Sequence, residues 1–249
     1  PQGPLLRKHH GAYPVGARRR GPLTRMAPET DTRAPFDAPA CVAAILAAAH
    51  EYRLADYHRL LGAAVAALEP AGLVREVCGP VLREAGNRWH RGELSIVQEH
   101  LLSAAIRRRL GRLLDEGNHA ATGPAIVFGT LSGERHEMGS LMLAAVAAHR
   151  GFRAIDLGPD LPVAEVGRLC AHLPVAAVAL SLVTHPDVID AGRQLIELRR
   201  LVPASVPLWL GGQAAALLGP GQLPTGSRLV RDLPEFEACL AELAARSTP

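Results

Sequence analysis

The sequence predicts an α/β protein, a four-helix bundle followed by a doubly wound parallel sheet of about five strands. Three observations predict it. From Asp37 to about Gly117, apolar side chains recur three and four residues apart, the period of a helix buried on one face. From Pro124 onward, short apolar runs alternate with longer helix-like stretches. Those runs are continuously apolar rather than alternating, as in a parallel sheet covered on both faces.

The elements follow in order. "APACVAAILAAAHEYR" and "ADYHRLLGAAVAAL" are Ala/Leu-rich helices. After "EPAG" comes a third helix, "LVREVCGPVLREAGNRWHRG", in which Pro80 predicts a kink or break and Gly92 the end. Ser95 caps a fourth, "SIVQEHLLSAAIRRRLGRLLDEG", with Gln98 completing a capping box. Short connections between four helices predict a bundle. After "NHAATG" the predicted strands are "PAIVFG", "FRAIDLG", "VAAVALSLV", "VPLWLGG" and "SRLV". The helices between and after them are "EMGSLMLAAVAAHRG", "PVAEVGRLCAHL", "DVIDAGRQLIELRRL", the short "QAAALLG" and "LPEFEACLAELAAR". This is a Rossmann-like, flavodoxin-like order. The expected domains are a disordered tail over 1–35, a helical bundle over 36–118 and the sheet domain over 122–249.

Composition narrows the function. Hydrophobic residues are 48% and charged residues 20%, an ordinary balance for a folded soluble protein. The formal charge is +3. Arg7, Lys8, Arg18, Arg19, Arg20, Arg25 and Arg33 place the surplus in the tail, so the remainder has no basic character and direct DNA binding by it is not expected. The tail reads as a solvated segment, with a basic nucleic-acid arm as the alternative, and Met26 is a candidate native start. Cys41, Cys78, Cys170 and Cys239 are scattered without CxxC spacing, the pattern of reduced thiols in a cytoplasmic protein rather than of a zinc site or disulfide framework. No apolar stretch approaches the roughly 18 residues of a membrane span, and the N-terminal stretch has no signal-peptide core.

Ligands of such sheets lie beyond the carboxyl ends of the strands. Three loops leave those ends: "TLSGERHEMG", "LVTHPD" and "GGQAA". In the first, His136 sits between Gly133 and Gly139, with Glu134 two residues earlier as a carboxylate for one imidazole nitrogen. One histidine does not make a zinc site, which needs three or four ligands. It suits a metal already held by a macrocycle, as in haem or cobalamin; on chemistry alone a surface histidine is the competing reading.

The order of motifs resembles the cobalamin-binding domains. These carry Asp-x-His-x-x-Gly after the first strand, Ser-x-Leu/Val after the third and Gly-Gly after the fourth. Here the matching residues are Glu134-Arg135-His136-Glu137-Met138-Gly139, Ser181-Leu182-Val183 and Gly211-Gly212. Glu134 departs from the usual Asp but keeps the carboxylate. The resemblance implies that His136 is the lower cobalt ligand in place of the displaced dimethylbenzimidazole. It also implies that Ser181 bonds the nucleotide tail and that Gly211 and Gly212 leave room for it. In the helical half, Trp89 followed after nine residues by Glu99-His100 is similar to the CarH-type light-dependent regulators, in which the bundle caps the upper face of adenosylcobalamin. By that resemblance Trp89 covers the adenosyl group, Glu99 contacts its ribose, and His100 lines the pocket. His90 is then the candidate upper cobalt ligand after light.

The resemblance covers roughly residues 38–249. It does not extend to the MerR-class DNA-binding domain of that family, which the 35-residue tail is too short to hold. The chain is also similar to photocobilins, which add a bilin such as biliverdin, and to AerR-like regulators. What the resemblance implies is a non-enzymatic, cytoplasmic light sensor that binds adenosylcobalamin. It would act through a homo-oligomer (dimer or tetramer) or an unknown protein partner. The alternatives are a corrinoid carrier protein for methyl transfer and an AerR-like antirepressor acting on a transcription factor.

Overall fold

The computed structural model describes residues 36–184 and 187–247. The expectations for the tail at 1–35, including the basic arm and the start at Met26, lie outside the described residues.

The helical half is α1 (Ala38–His50), α2 (Leu54–Ala67), α3 (Pro70–Leu73), a π turn (Val74–Cys78), α4 (Gly79–His90) and α5 (Ile96–Ala120). Asp37 caps α1, its carboxylate accepting the Ala40 N–H at 2.9 Å. Ser95 and Gln98 form the predicted capping box at the start of α5. Gly92 ends α4 in the left-handed region with φ 73°. The irregularity expected at Pro80 takes the form of a π turn rather than a break. The helix neither breaks nor ends there but widens by one π turn, in which the Gly79 N–H donates to the Val74 carbonyl. The wider turn relieves the clash between a proline ring and the carbonyl one turn earlier. The helix also starts before the predicted position, at Pro70, where Glu69 caps it by accepting the Gly72 N–H at 2.8 Å.

The second half is β1 (Ala125–Gly129), α6 (Met138–His149), β2 (Arg153–Asp156), α7 (Val163–His172), β3 (Val175–Ser181), α8 (Val188–Leu201), β4 (Leu208–Gly211), β5 (Ser227–Val230) and α9 (Leu233–Ser247). The predicted short helix after β4 is a 3-10 turn, Ala214–Leu217. All five strands are parallel, in the order β2-β1-β3-β4-β5. The order reverses between β1 and β3, so the crevice for a ligand opens there.

Alternation along the strands makes two cores. Ile126, Phe128, Ala177, Ala179 and Trp209 face α6, α9 and the helical half in one continuous cluster. Val127, Val178, Leu180, Leu208 and Leu210 face the other way, onto α7 and α8. The helical half is therefore joined to one face of the sheet by buried apolar surface. A polar joint adds to it at the edge strand. The Asn118 side chain donates to Ala154 O at 2.8 Å and accepts from Ala154 N at 2.9 Å, pairing with β2 as another strand would. Among the described residues no helix is long and apolar enough to cross a membrane.

Close approach requires glycine at one position beside the ligand crevice. Gly212 has φ 95°, and a Cβ there would lie 2.1 Å from the Leu182 carbonyl oxygen. Gly212→Ala is expected to cost more than about 2 kcal/mol, from left-handed strain and the clash with backbone. Gly221→Ala, where a Cβ meets nothing within 4 Å, serves as the control. Denaturant midpoints at unchanged slope measure both; equal midpoints would show that the β4 loop relaxes freely.

Candidate functional site

The loop from β1 to α6 and the loop from β3 to α8 meet across the switch point. Glu134 joins them. Its side chain is 1% exposed, and both carboxylate oxygens are used. Oε1 accepts the His136 backbone N–H at 2.9 Å and His136 Nδ1 at 2.6 Å. Oε2 accepts the backbone N–H groups of Val183 and Thr184, both at 2.7 Å. Burial alone would raise the Glu134 pKa. The N–H donations of His136, Thr184 and Val183 and the imidazole outweigh it and hold the carboxyl below its ordinary value.

A carboxylate only accepts, so His136 Nδ1 carries a hydrogen. Thr184 Oγ1 lies 2.7 Å from the same nitrogen. The imidazole is 59% exposed. The result is an imidazole oriented and held out from the fold by a buried carboxylate.

The loop beneath it is fastened by residues that the sequence reading did not single out. Thr130, fully buried, donates its hydroxyl to Glu134 O at 2.5 Å and accepts from Asp160 N at 2.9 Å. Asp160, in the left-handed region with φ 59°, accepts the Gly133 N–H at 2.8 Å. Gln194 of α8 brackets Ser132, accepting its N–H and donating to its carbonyl, both at 3.1 Å. Thr130 and Thr184 follow directly on apolar strands, and that position was the one signal available. Nothing local marks Asp160 or Gln194.

The remaining predicted residues of this half group around the same crevice. Arg135 is exposed. Glu137 is held by Arg107 of α5, Nε to Oε1 2.7 Å. Met138 opens α6 and packs on the helical core. Gly139 lies against Ser181, where a Cβ would stand 2.9 Å from the hydroxyl. Gly139, Ser181, Val183, Gly211 and Gly212 line a cleft of about 480 Å³. Phe128, Trp209 and Phe236 form part of its wall, and the hydroxyl of Ser140, 2% exposed, has no hydrogen-bond partner there. A buried polar group without a partner is costly and marks a place where a ligand atom fits.

The other predicted group sits where α4 ends and α5 begins. Trp89 is 42% exposed and meets the His90 ring edge-on, with centroids 4.6 Å apart. His90 Nδ1 donates to the Gly86 carbonyl at 2.8 Å. His100 Nδ1 bonds Glu99 Oε2 at 2.6 Å. No hydrogen bond or ion pair joins this group to the His136 loop among the described residues; α5, through Arg107, is the element that touches both.

Among the described residues no group of three or more His, Cys, Asp or Glu is placed to hold a metal ion. A single oriented imidazole beside an open cleft fits a metal that arrives within a macrocycle.

Residues 42–114 match the B12 binding domain family. The chain is 37% identical over 174 residues to the HTH-type transcriptional repressor CarH of Myxococcus xanthus, covering 69% of this chain and 57% of CarH. It is 38% identical over 104 residues to the HTH-type transcriptional repressor CarA of the same organism, covering 42% of this chain and 34% of CarA. The dimethylamine corrinoid protein of Methanosarcina barkeri is 29% identical over 101 residues, 39% of this chain and 46% of that one. The chain thus spans little more than half the length of CarH and about a third of CarA. In fold it is similar to the monomethylamine corrinoid protein of Methanosarcina barkeri, with a TM-score of 0.64 at 18% identity over 84% of this chain and 100% of that one. Residues 42–114 therefore match the B12 binding domain family, and the chain is a relative of the repressor CarH over the length that the two share.

Proposed function

We propose that this chain is a cobalamin-dependent light sensor rather than an enzyme. The observation that carries the cobalamin part is the imidazole of His136, fixed through Nδ1 on the buried Glu134 and itself 59% exposed. In this reading residues 122–249 hold the corrinoid base-off with His136 as the lower cobalt ligand, and residues 36–118 cap its upper face. Ser181, Val183, Gly211 and Gly212 border the space for the nucleotide tail. Arg135, Glu137, Met138 and Gly139 shape the loop around the lower ligand.

The light-sensing part rests on the second group and on the similarity to CarH in sequence. Bound adenosylcobalamin supplies a cobalt–carbon bond that light cleaves. In this reading Trp89 and His100 border the upper face, and Glu99 accepts a hydrogen bond from the adenosyl ribose. His90, with Nδ1 occupied by Gly86 O, is the candidate upper ligand after illumination. Its movement would pull on the end of α4 and change how the bundle meets a second copy or another protein. We place the protein in the cytoplasm. A second chromophore such as biliverdin is an open arm of the same test. The similarity to the dimethylamine corrinoid protein supports a second reading, a carrier for methyl transfer.

Three outcomes test this reading. Protein purified with adenosylcobalamin in the dark is expected to change its absorbance spectrum and its elution volume on illumination. A complex indifferent to light would favour the carrier instead, and a red-absorbing species after reconstitution would show that biliverdin binds. His136→Ala is expected to abolish or sharply weaken cobalamin uptake, measured by titration; undiminished uptake would remove it as the ligand. Glu134→Gln, which replaces one accepting oxygen by a donor, is expected to weaken cobalamin affinity about 10–100-fold. It should also cost about 1–3 kcal/mol of stability as buried N–H groups lose their acceptor.

A further inference from the structure

The cleft beside His136 is bordered by both halves of the molecule. Its wall is aromatic. Phe128 and Phe236 meet edge to face at 6.1 Å, and Trp209 and Phe236 at 5.9 Å. Ser181 and Ser140, whose hydroxyl has no partner, also line the cleft. Three arginines also line the cleft: Arg75 from the π turn, Arg83 from α4 and Arg231 after β5. Two of them are paired. Arg75 meets Glu76 at 2.8 Å and Arg231 meets Glu235 at 3.0 Å. Arg83 is exposed and shows no hydrogen bond or ion pair among the described residues.

Arg83 is also aimed. Its Nη1 lies 3.3 Å from the point where a Cβ on Gly79 would stand, so the guanidinium folds back over the π turn. Gly79 lines the same cleft. The wider turn before Pro80 and the missing side chain at Gly79 together make room for that arm. An apolar aromatic wall, hydroxyls lining the same cleft and a free guanidinium at the rim match a ligand segment with a flat aromatic base joined to an anionic phosphodiester. The nucleotide tail of cobalamin has that chemistry.

We infer that Arg83 of the helical half binds the phosphodiester of the nucleotide tail, so that the two halves clamp the tail together and the protein selects complete cobalamin over a corrinoid without a nucleotide. This rests on the cobalamin reading above. Arg83 touches neither the metal nor its axial positions; it is a specificity-determining residue. A guanidinium–phosphate contact is a charge-assisted bond, strong enough to set a preference between ligands that differ only in that group.

The test compares hydroxocobalamin with diaquocobinamide, which lacks the nucleotide, in titrations of the wild-type chain, Arg83→Ala and Arg83→Lys. Arg83→Ala is expected to weaken hydroxocobalamin binding on the order of tenfold and to leave cobinamide binding unchanged. Arg83→Lys should recover part of the loss, because it keeps the charge without the planar fork. Rising salt should shrink the wild-type advantage and leave the Ala variant unaffected. Equal losses for both corrinoids, or no loss for either, would overturn the assignment. Biliverdin titrated in parallel separates the other anionic candidate: a loss confined to biliverdin would assign Arg83 to its carboxylates and overturn the tail contact. A wild-type chain that binds neither corrinoid would instead refute the cobalamin reading itself.

Discussion

Everything at the switch point depends on one buried carboxylate. Glu134 is a charge placed where water cannot reach it, and such a charge persists only if every lone pair is answered. Three backbone N–H groups and one imidazole answer it. The consequences run outward from that requirement. Two of the donors belong to the loop after β3, so the carboxylate ties the neighbouring strands together at their carboxyl ends. The imidazole is left with one orientation. In its proposed role as a cobalt ligand it would need little reorganisation, because folding has already arranged it.

The long helix α5 relates this loop to the rest of the molecule. With 25 residues, it spans about 37 Å. Glu99 and His100 lie in its first turns, Arg107 reaches Glu137 from its middle, and Asn118 pairs with the edge strand at its end. At Gly117 a Cβ would stand 2.7 Å from the Ala148 side chain, so α5 and α6 approach as closely as backbones allow. A displacement at the start of α5 would be passed on along a rigid rod rather than absorbed by a loop. The buried apolar cluster shared by both halves has the same effect, because close-packed side chains transmit strain.

Much of this was legible in order along the chain. Hydrophobic period separated helices from strands, and the capping box at Ser95 and the glycine stop at Gly92 behaved as local rules require. The three loops at the carboxyl ends were visible because strand and helix alternated. At Pro80 the local rule for proline leaves two solutions, and the chain takes the one that keeps the helix continuous through a π turn. Thr130, Asp160, Thr184 and Arg107 stayed hidden for another reason. Each has its role only through a partner far away in sequence, as Asp160 does with Gly133 and Arg107 with Glu137.

The sequence by itself determined the element order, the residues available at each strand end and the chemical type of the site, because periodicity, caps and short motifs act over a few residues. Tertiary structure decided which of those residues meet. The strand order β2-β1-β3-β4-β5 brings Glu134 beside Val183 and Thr184, residues remote in the chain, and so fixes the orientation of His136. It also brings Arg83 to the cleft with its charge unspent while Arg75 and Arg231 are paired. Pairings of this kind follow from the closing of long loops around a shared core, and no short stretch of sequence contains both partners.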